Sequence, residues 1–402
     1  MNRIFVVICI IVMSIFSANA QKDMHLLKQT LGNLGFENVC AVDIDDTIFV
    51  SLEPTSFRGT FRGPAEALKC IKSICPSSSH VELSVHEYGV PRVCVHALCE
   101  VSDRWNVSVD YDVVRVEDKL KNDHSPSKNN YGKIDVNLIP IVTLDNHQYD
   151  RLYYFGVFFA PSFETTLWKG NRIIVQPIIP VCTNLDEYDT HKYTRLGVAA
   201  ISQELFFKGK WTGKLSAGAF YPDAVGVYGD FKYKLNPYID FGAYVGYAYT
   251  SLFYDKKWYI GKSTMLDAML KFSVYDPWSS FQFEMQGGRF NFGDWGVRAD
   301  LTRHFGEYAI GLYGILTGGE HNGGFHFAIP FGGKKQNRKG FVRVKAPDYY
   351  DMQYSMVSYL RYTWQRMGRE LEEIPDKNHS AHYWQAEYIE KYTQRYLDGT
   401  FE

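Results

Sequence analysis

The sequence predicts a mainly β protein, an antiparallel up-and-down outer-membrane β-barrel preceded by a small periplasmic α/β domain. Three observations lead to this prediction. About ten to twelve segments with period-two alternation follow one another beyond residue 135. The 402 residues include 29 Tyr, 27 Phe and 8 Trp, a high aromatic content for a globular enzyme. The first twenty residues have the composition of an export signal.

Residues 1–20 are the first element and are predicted to be a cleavable signal peptide. A short polar start with the basic residue Arg3 precedes an apolar run and a small-residue exit that ends at Ala20. Further along the chain, no apolar run reaches the roughly 18 residues that a membrane helix needs. The mature protein is therefore expected outside the cytoplasm, where it can enter a membrane only as a barrel.

Residues 21–116 are predicted to form the α/β domain. Leucines at helical spacing indicate a helix over 24–34, and Pro64 begins a second helix that Pro76 ends. Two hairpins flank the second helix. Residues 117–135 are charged and rich in Ser and Asn, which is typical of a linker. The cysteines of this region leave buried thiols and disulfides equally open.

Residues 38–49, NVCAVDIDDTIF, resemble the first motif of haloacid-dehalogenase-like phosphatases. In that alternative, Asp43 would be the nucleophile and Asp45 the general acid/base beside Mg²⁺. A hairpin with a three-residue loop beginning at Asp45 explains the same residues, since it pairs Ile44 with Ile48 and puts the apolar residues on one face. Thr143 could serve as the second phosphatase motif, but the third and fourth motifs lack convincing candidates. We therefore predict no enzyme, no catalytic residues, no cofactor and no metal site.

Residues 136–335 are predicted to form the barrel. Apolar and polar residues alternate over 239–250, and one earlier segment, 225–235, and five later segments repeat this pattern. The apolar face could face lipid, or it could form the core of a soluble carbohydrate-binding β protein, which remains an alternative. Aromatic residues toward the strand ends, segments of about ten residues and the export signal favour the membrane.

The opposite face of these strands is then expected to line a polar interior. Sugar rings stack on aromatic side chains, and charged groups bind hydroxyls. In the alternative interpretation the tyrosines only fill a small barrel and the charges pair with one another. The predicted ligand-binding residues on this face are Tyr228, Asp230, Lys232, Tyr244, Glu284, Arg298, Asp300 and His304.

Residues 336–402 are predicted to be a C-terminal tail with one amphipathic helix. Trp384, Tyr388, Tyr392 and Tyr396 recur every four residues, which places them on one side of a helix. Packing against the rest of the protein is the expected role of this stripe.

Several local motifs follow one another in a fixed order between about 145 and 333. They are LWKG from Leu167, PIIP from Pro177, RLG from Arg195, GAFYPDAVGVYGD from Gly218, GGRFNFGDWGVRADLTRHFG from Gly287 and FHFAIPF from Phe325. In this order and spacing the stretch resembles the YjbH/GfcD family of exopolysaccharide-associated outer-membrane proteins. The preceding α/β segment resembles the periplasmic part of that family.

The resemblance implies a non-enzymatic outer-membrane protein that supports exopolysaccharide or capsule biosynthesis and export. Its expected partners are polysaccharide, outer-membrane lipid and other exopolysaccharide-export proteins, with the N-terminal domain in the periplasm. A net charge of -2 gives no basic surface for nucleic acid, which is not an expected partner.

Overall fold

The computed structural model describes two compact units of a mainly β protein. One unit contains residues 1–130 and 389–402, and the other contains 131–388. The described residues are 24–57, 61–76, 80–100, 104–121, 123, 126–145, 154–185, 189–207, 210–331, 336–356, 367–373 and 384–401. The predicted signal peptide lies outside them. No helix in these ranges is long and apolar enough to cross a membrane.

The first unit contains a five-stranded sheet in the order β1-β2-β3-β4-β5, in which only β2 and β3 pair in parallel. Its strands are β1 (Glu37–Ile44), β2 (Thr47–Glu53), β3 (His80–Glu87), β4 (Val90–Cys99) and β5 (Trp105–Asp110). Its helices are α1 (24–34), α2 (Arg62–Ile74) and α3 (Val114–Leu120), joined at the end of the chain by part of α4 (Ala386–Leu397). Helix α2 makes the crossover that a parallel strand pair requires.

The predicted hairpin of β1 and β2 is present, but its predicted register is wrong. Thr47 lies opposite Ile44, and Ile48 lies opposite Asp43, so the loop contains two residues instead of three. Asp45 and Asp46 have φ angles of 52° and 62°. Two consecutive positive φ angles characterise a type I′ turn, whose twist matches that of the flanking strands.

The segment predicted as a linker contains ordered structure at both ends. Helix α3 continues to Leu120, and the next strand begins at Ile134. Between them, Ser127 exchanges backbone hydrogen bonds with Val39 beside β1. Lys128 Nζ donates to the carbonyl of Gly32 at 2.5 Å, where a cation meets the negative end of the α1 dipole.

The free edge of the five-stranded sheet is protected by α4. The backbone N–H groups of Val107 and Val109 on β5 donate to Gln394 Oε1 at 3.1 Å and Glu390 Oε2 at 2.9 Å. Gln394 Nε2 in turn donates to the Trp105 carbonyl. Because these two side chains are four residues apart on one helix face, they reach alternate residues of an edge that would otherwise remain unpaired.

The second unit contains a fourteen-stranded sheet in the order β18-β6-β7-β8-β9-β10-β11-β12-β13-β14-β15-β16-β17-β19. Its strands are β6 (Ile134–Asp145), β7 (Tyr154–Thr165), β8 (Asn171–Thr183), β9 (Arg195–Phe207), β10 (Trp211–Phe220), β11 (Ala224–Lys234), β12 (Ile239–Tyr254), β13 (Lys257–Asp276), β14 (Phe281–Arg289), β15 (Trp295–Phe305), β16 (Tyr308–Thr317), β17 (Glu320–Pro330), β18 (Val342–Lys345) and β19 (Tyr349–Met356). Each strand from β6 to β17 pairs antiparallel with the next, as expected for short connections.

The two ends of this sheet are β18 and β19. Strand β18 pairs in parallel with only the first four residues of β6, Ile134 to Asn137. Strand β19 approaches β6 to within 8 Å between Cα atoms. No strand pairing between β19 and β6 or β18 closes the sheet among the residues that the structure describes.

The apolar face of the large sheet is its exposed face. Leu270 on β13 is 73% exposed and Leu312 on β16 is 65% exposed, while Tyr313 and Ile315 beside Leu312 are buried. Along β16, exposed and buried residues alternate without interruption. The opposite face of the sheet, here called the enclosed face, contains most of the ion pairs described for this unit. It also contains a cluster of buried Tyr, Phe and Met side chains.

The region predicted as a tail contains more structure than its sequence indicated. Strands β18 and β19 extend the sheet, and a segment over Met367–Glu373, the interior segment, contacts residues of the enclosed face. Helix α4 contains Tyr388, Tyr392 and Tyr396 of the predicted aromatic stripe, and the first two are buried.

Candidate functional site: a charged cavity enclosed by the large sheet

The strongest candidate site is a cavity of about 360 Å³ on the enclosed face of the second unit. Strands β10 to β15 and the interior segment line it. Seven of the eight ligand-binding residues predicted from the sequence are among its lining residues: Tyr228, Asp230, Lys232, Tyr244, Glu284, Arg298 and Asp300. His304 is not among them.

Strand register brings these residues together. Tyr244 on β12 lies directly opposite Asp230 on β11, and Glu284 on β14 lies opposite Asp300 on β15. Directly opposed residues lie on the same face of a sheet, and so do residues two positions apart on one strand. All of these side chains therefore lie on the enclosed face. The opposed carboxylates of Glu284 and Asp300 would repel each other, but Arg298 donates to both oxygens of Asp300 at 2.8 and 2.7 Å.

Two tyrosines form the aromatic part of the cavity wall. The rings of Tyr228 and Tyr244 stack with centroids 5.3 Å apart and planes inclined by 29°. Lys271 Nζ lies 4.8 Å from the centroid of Tyr244, and Lys214 Nζ lies 5.3 Å from that of Tyr228. These cation–π contacts fix ammonium groups beside the rings, so aromatic surface and hydrogen-bond donors occur side by side.

The interior segment contributes acidic groups to the same cavity. Glu373 pairs with Lys214 at 2.7 Å and accepts a hydrogen bond from Ser216 Oγ at 3.2 Å. Glu370 pairs with Lys271 at 2.9 Å, and Lys271 also contacts Asp230 at 3.4 Å. Acidic and basic groups therefore alternate around the cavity.

Backbone contacts also hold the interior segment in place. The N–H of Leu371 donates to the Tyr244 hydroxyl at 3.2 Å, and that of Gly368 donates to Asp294 Oδ2 at 2.7 Å. Sequence reasoning missed this segment, because residues 367–373 have neither strand nor helix periodicity. Their acidic run, Glu370, Glu372 and Glu373, is the only available signal, since its charge complements that of Lys232, which is predicted to point inward.

His304, the eighth predicted ligand-binding residue, lies outside this cavity. Its Nε2 lies 3.0 Å from Gln282 Oε1, and its ring packs beside Tyr275 and Tyr388, with which it is almost completely buried. His304 shares the inward face with Asp300 but lies four residues further along β15, about 13 Å at strand spacing. The distance along the strand separates it from the cavity.

The phosphatase-like residues of the first unit lie on the β1–β2 hairpin. Asp43 is exposed at the end of β1, where partial burial and the neighbouring Asp46 raise the pKa of its carboxyl. Asp45 occupies the turn itself. The turn chemistry of two aspartates at positive φ accounts for the motif without a catalytic role.

A second polar cluster in the first unit has the composition of a catalytic triad but not its geometry. His86 Nε2 lies 3.0 Å from Ser84 Oγ and 2.8 Å from Glu117 Oε1. In a working triad the serine and the carboxylate contact different ring nitrogens. Here both contact the same nitrogen and Ser84 is fully buried, so the cluster is a structural hydrogen-bond network.

A third cluster consists of Cys94, His96 and Asp110, whose potential ligand atoms lie within 4.8 Å of one another. Sequence reasoning predicted no metal site because it considered only closely spaced Cys and His pairs. The alternation Cys-x-His on a predicted strand was the available signal, but Asp110 joins it only through strand pairing. Burial raises the pKa of the Cys94 thiol strongly, and Asp110 and Glu82 raise it further.

No family model and no curated protein matches the chain. Its function is therefore inferred from the residues described above.

Proposed function

We propose that the second unit is a closed β-barrel in the outer membrane, and that the protein supports exopolysaccharide or capsule export without catalysing a reaction. The observation that carries this proposal is the inside-out distribution of side chains on the large sheet. Large apolar residues are exposed along its outer face, whereas ion pairs concentrate on its enclosed face. A lipid environment stabilises this arrangement, while water would not.

The outer face is too apolar for a protein surrounded by water. Every strand from β6 to β17 other than β9 and β10 has more than one exposed Val, Leu, Ile or Phe side chain. Strands β9 and β10 have one each, Ile201 and Leu215. Contiguous apolar patches of more than a few hundred Å² are rare on soluble monomers. Strands of nine residues or more, as here, are also long enough to cross a bilayer at a tilt.

Exposed tryptophans lie near both ends of the strands. The antiparallel strand order puts Trp168, Trp211 and Trp278 at one end of the sheet and Trp258 and Trp295 at the other. Trp278, in the turn between β13 and β14, is 91% exposed. Indole rings favour the interfaces between lipid and water, so these two sets fit the aromatic girdles of a barrel.

Closure of the barrel is proposed to occur where β19 approaches β6. Strand β18 pairs only with Ile134 to Asn137, which leaves the edge of β6 from Leu138 to Asp145 for another strand. Every neighbouring strand pair from β6 through β17 to β19 is antiparallel, and the number of these pairs is even. Strand β19 therefore runs parallel to β6. A parallel seam completes the hydrogen bonds that lipid cannot supply.

The cavity supplies the chemistry that a polysaccharide needs. Carboxylates, ammonium groups and a guanidinium bind hydroxyl and acidic substituents. The stacked rings of Tyr228 and Tyr244, which are 6% and 2% exposed, support the cavity wall behind these groups. The alternation of both charges is suited to weak, repeated contacts along a polymer, as export requires. The family resemblance described above points to the same class of partner.

Measurements of membrane association, gel mobility and surface polysaccharide test this proposal together. Full-length protein should remain with membranes after a carbonate wash and should migrate faster in gels before boiling than after it. Deletion should reduce polysaccharide at the cell surface, and Lys232→Ala, at a half-exposed residue of the cavity wall, should reduce it in part while leaving barrel migration unchanged. Release by carbonate would favour the soluble carbohydrate-binding alternative, and Mg²⁺-dependent phosphate-ester hydrolysis abolished by Asp43→Asn would favour the phosphatase alternative.

A further inference from the structure

We propose that the first unit binds one divalent transition-metal ion of the zinc type through Cys94, His96 and Asp110. The three side chains lie on adjacent strands of the five-stranded sheet, and no feature of the proposed export function depends on them. The site is a property of this unit alone, because all its residues belong to β3, β4, β5 and α3.

The sheet itself holds the three ligands on one face. Cys94 and His96 are two residues apart on β4, so both side chains point to the same side. Asp110 lies directly opposite Cys94 on β5. Their ligand atoms already lie within 4.8 Å of one another, and tetrahedral zinc requires separations of about 3.3–3.8 Å. Metal binding requires side-chain rotation to close this difference.

Glu82 provides a second, independent observation at the same place. It lies directly opposite His96 on β3, so its side chain is on the same face of the sheet as the three ligands. The residue is only 7% exposed, and its Oε2 has no hydrogen-bond partner among the described residues. Arg115 on α3 contacts the other oxygen, Oε1, at 2.9 Å. Burying an unpartnered carboxylate oxygen is costly, and a nearby cation removes that cost.

The donor set selects the class of metal. A thiolate and an imidazole favour Zn²⁺ and its neighbours over Mg²⁺ and Ca²⁺, which prefer oxygen ligands. Binding forms the metal–sulfur bond as the Cys94 thiol loses its proton to solvent. The Asp110 side chain is 51% exposed, so the ion has an open entry path at that side of the cluster. Three protein ligands leave a fourth position for Glu82 or water.

The competing explanation is a buried thiol next to an ordinary ion pair. His96 Nε2 and Asp110 Oδ2 are 3.1 Å apart, which is sufficient for a charged hydrogen bond without metal. The two explanations differ in the role of sulfur. A metal site requires the Cys94 sulfur as a ligand, whereas the ion pair does not involve it.

Cobalt(II) is the most direct probe, because a bound thiolate gives it an intense sulfur-to-metal charge-transfer absorption. Purified full-length protein, stripped with a chelator, should bind one equivalent and show this absorption. Cys94→Ser should abolish the absorption, and Asp110→Asn and His96→Gln should each weaken cobalt and zinc affinity by about tenfold or more. Cys99→Ser is the matched control, since Cys99 lies on the same strand outside the cluster.

Three results would overturn the site. Cobalt bound without a thiolate absorption, equal loss in Cys99→Ser, or unchanged affinity in Asp110→Asn would each show that the cluster is not a metal centre. Asp110→Asn keeps the test decisive even if Cys94→Ser fails to fold, because Asp110 lies at the exposed end of β5.

Discussion

Lys214 on β10 and Glu373 on the interior segment form an ion pair at 2.7 Å, and the Glu373 side chain is only 3% exposed. The two residues are 159 positions apart in the sequence. Their contact brings a part of the C-terminal region into the space that the large sheet encloses. The interior segment therefore narrows this space and takes part in the cavity wall, together with Lys271 and Tyr244.

Removing one partner of this pair should destabilise the second unit. Glu373→Gln leaves Lys214 without its closest counter-charge. We expect the free energy of unfolding to fall by about 2–3 kcal/mol, less than for a fully buried ion pair because the lysine is partly exposed. The double variant Lys214→Met with Glu373→Gln should lose less than the two single variants combined. Urea unfolding of the detergent-solubilised protein gives these values, and Lys232→Met serves as the control on the cavity wall.

In the proposed barrel, the interior segment should restrict passage. Replacing residues 367–373 with a Gly-Ser stretch of equal length removes Glu370, Leu371 and Glu373 from the enclosed space and should raise the single-channel conductance in planar bilayers. Lys256→Gly, in the exposed turn between β12 and β13, is expected to leave conductance unchanged. An identical conductance in the segment variant and the parent would show that the segment does not restrict the pore.

The outer face should be sensitive to charge in a depth-dependent manner. Leu312→Lys, at the middle of β16, should destabilise the inserted protein by about 2–4 kcal/mol. Tyr308→Lys, on the same face at the start of that strand, should cost only about 0–1 kcal/mol. Folding titrations into lipid vesicles measure both values. Equal and negligible effects of the two substitutions would indicate a face in water.

The hairpin turn of β1 and β2 should accept glycine readily. Asp46→Gly relieves the strain of a side chain at φ 62°, and we expect stabilisation of the first unit by about 0.5–1 kcal/mol. Asp46→Val is the opposing control, since a β-branched residue at positive φ is strained. Thermal unfolding distinguishes the two. Destabilisation by Asp46→Gly would mean that the carboxylate itself has a function there.

Local patterns predicted the strands of the large sheet well, for physical reasons visible in β12 and β16. The alternation of β16 is uninterrupted, and β12 keeps one register against β13 from Ile239 to Tyr249, where a register shift follows. The same alternation could not indicate which face is exposed, because a soluble sandwich and a lipid-facing sheet share the pattern. Only the positions of residues such as Leu270 and Lys271, adjacent in sequence and opposite in exposure, distinguish them.

Sequence patterns could not predict contacts between residues that are distant in the chain. The interior segment reaches Lys214 and Tyr244 through irregular backbone, for which no periodicity exists. Asp110 joins Cys94 only because β5 pairs with β4 in one particular register. His304 shows the converse limit, since a shared face does not imply a shared site when residues lie far apart along a strand.

Spin labels on neighbouring residues of β16 test the orientation of the large sheet most directly. Single labels at Leu312 and Tyr313 would be introduced into protein whose other cysteines are serine, and the protein would be reconstituted into lipid vesicles. We predict that oxygen dissolved in the lipid relaxes the label at Leu312, while the label at Tyr313 is shielded from it. The reverse order, or relaxation of the Leu312 label by a water-soluble nickel reagent alone, would contradict a lipid-facing apolar surface.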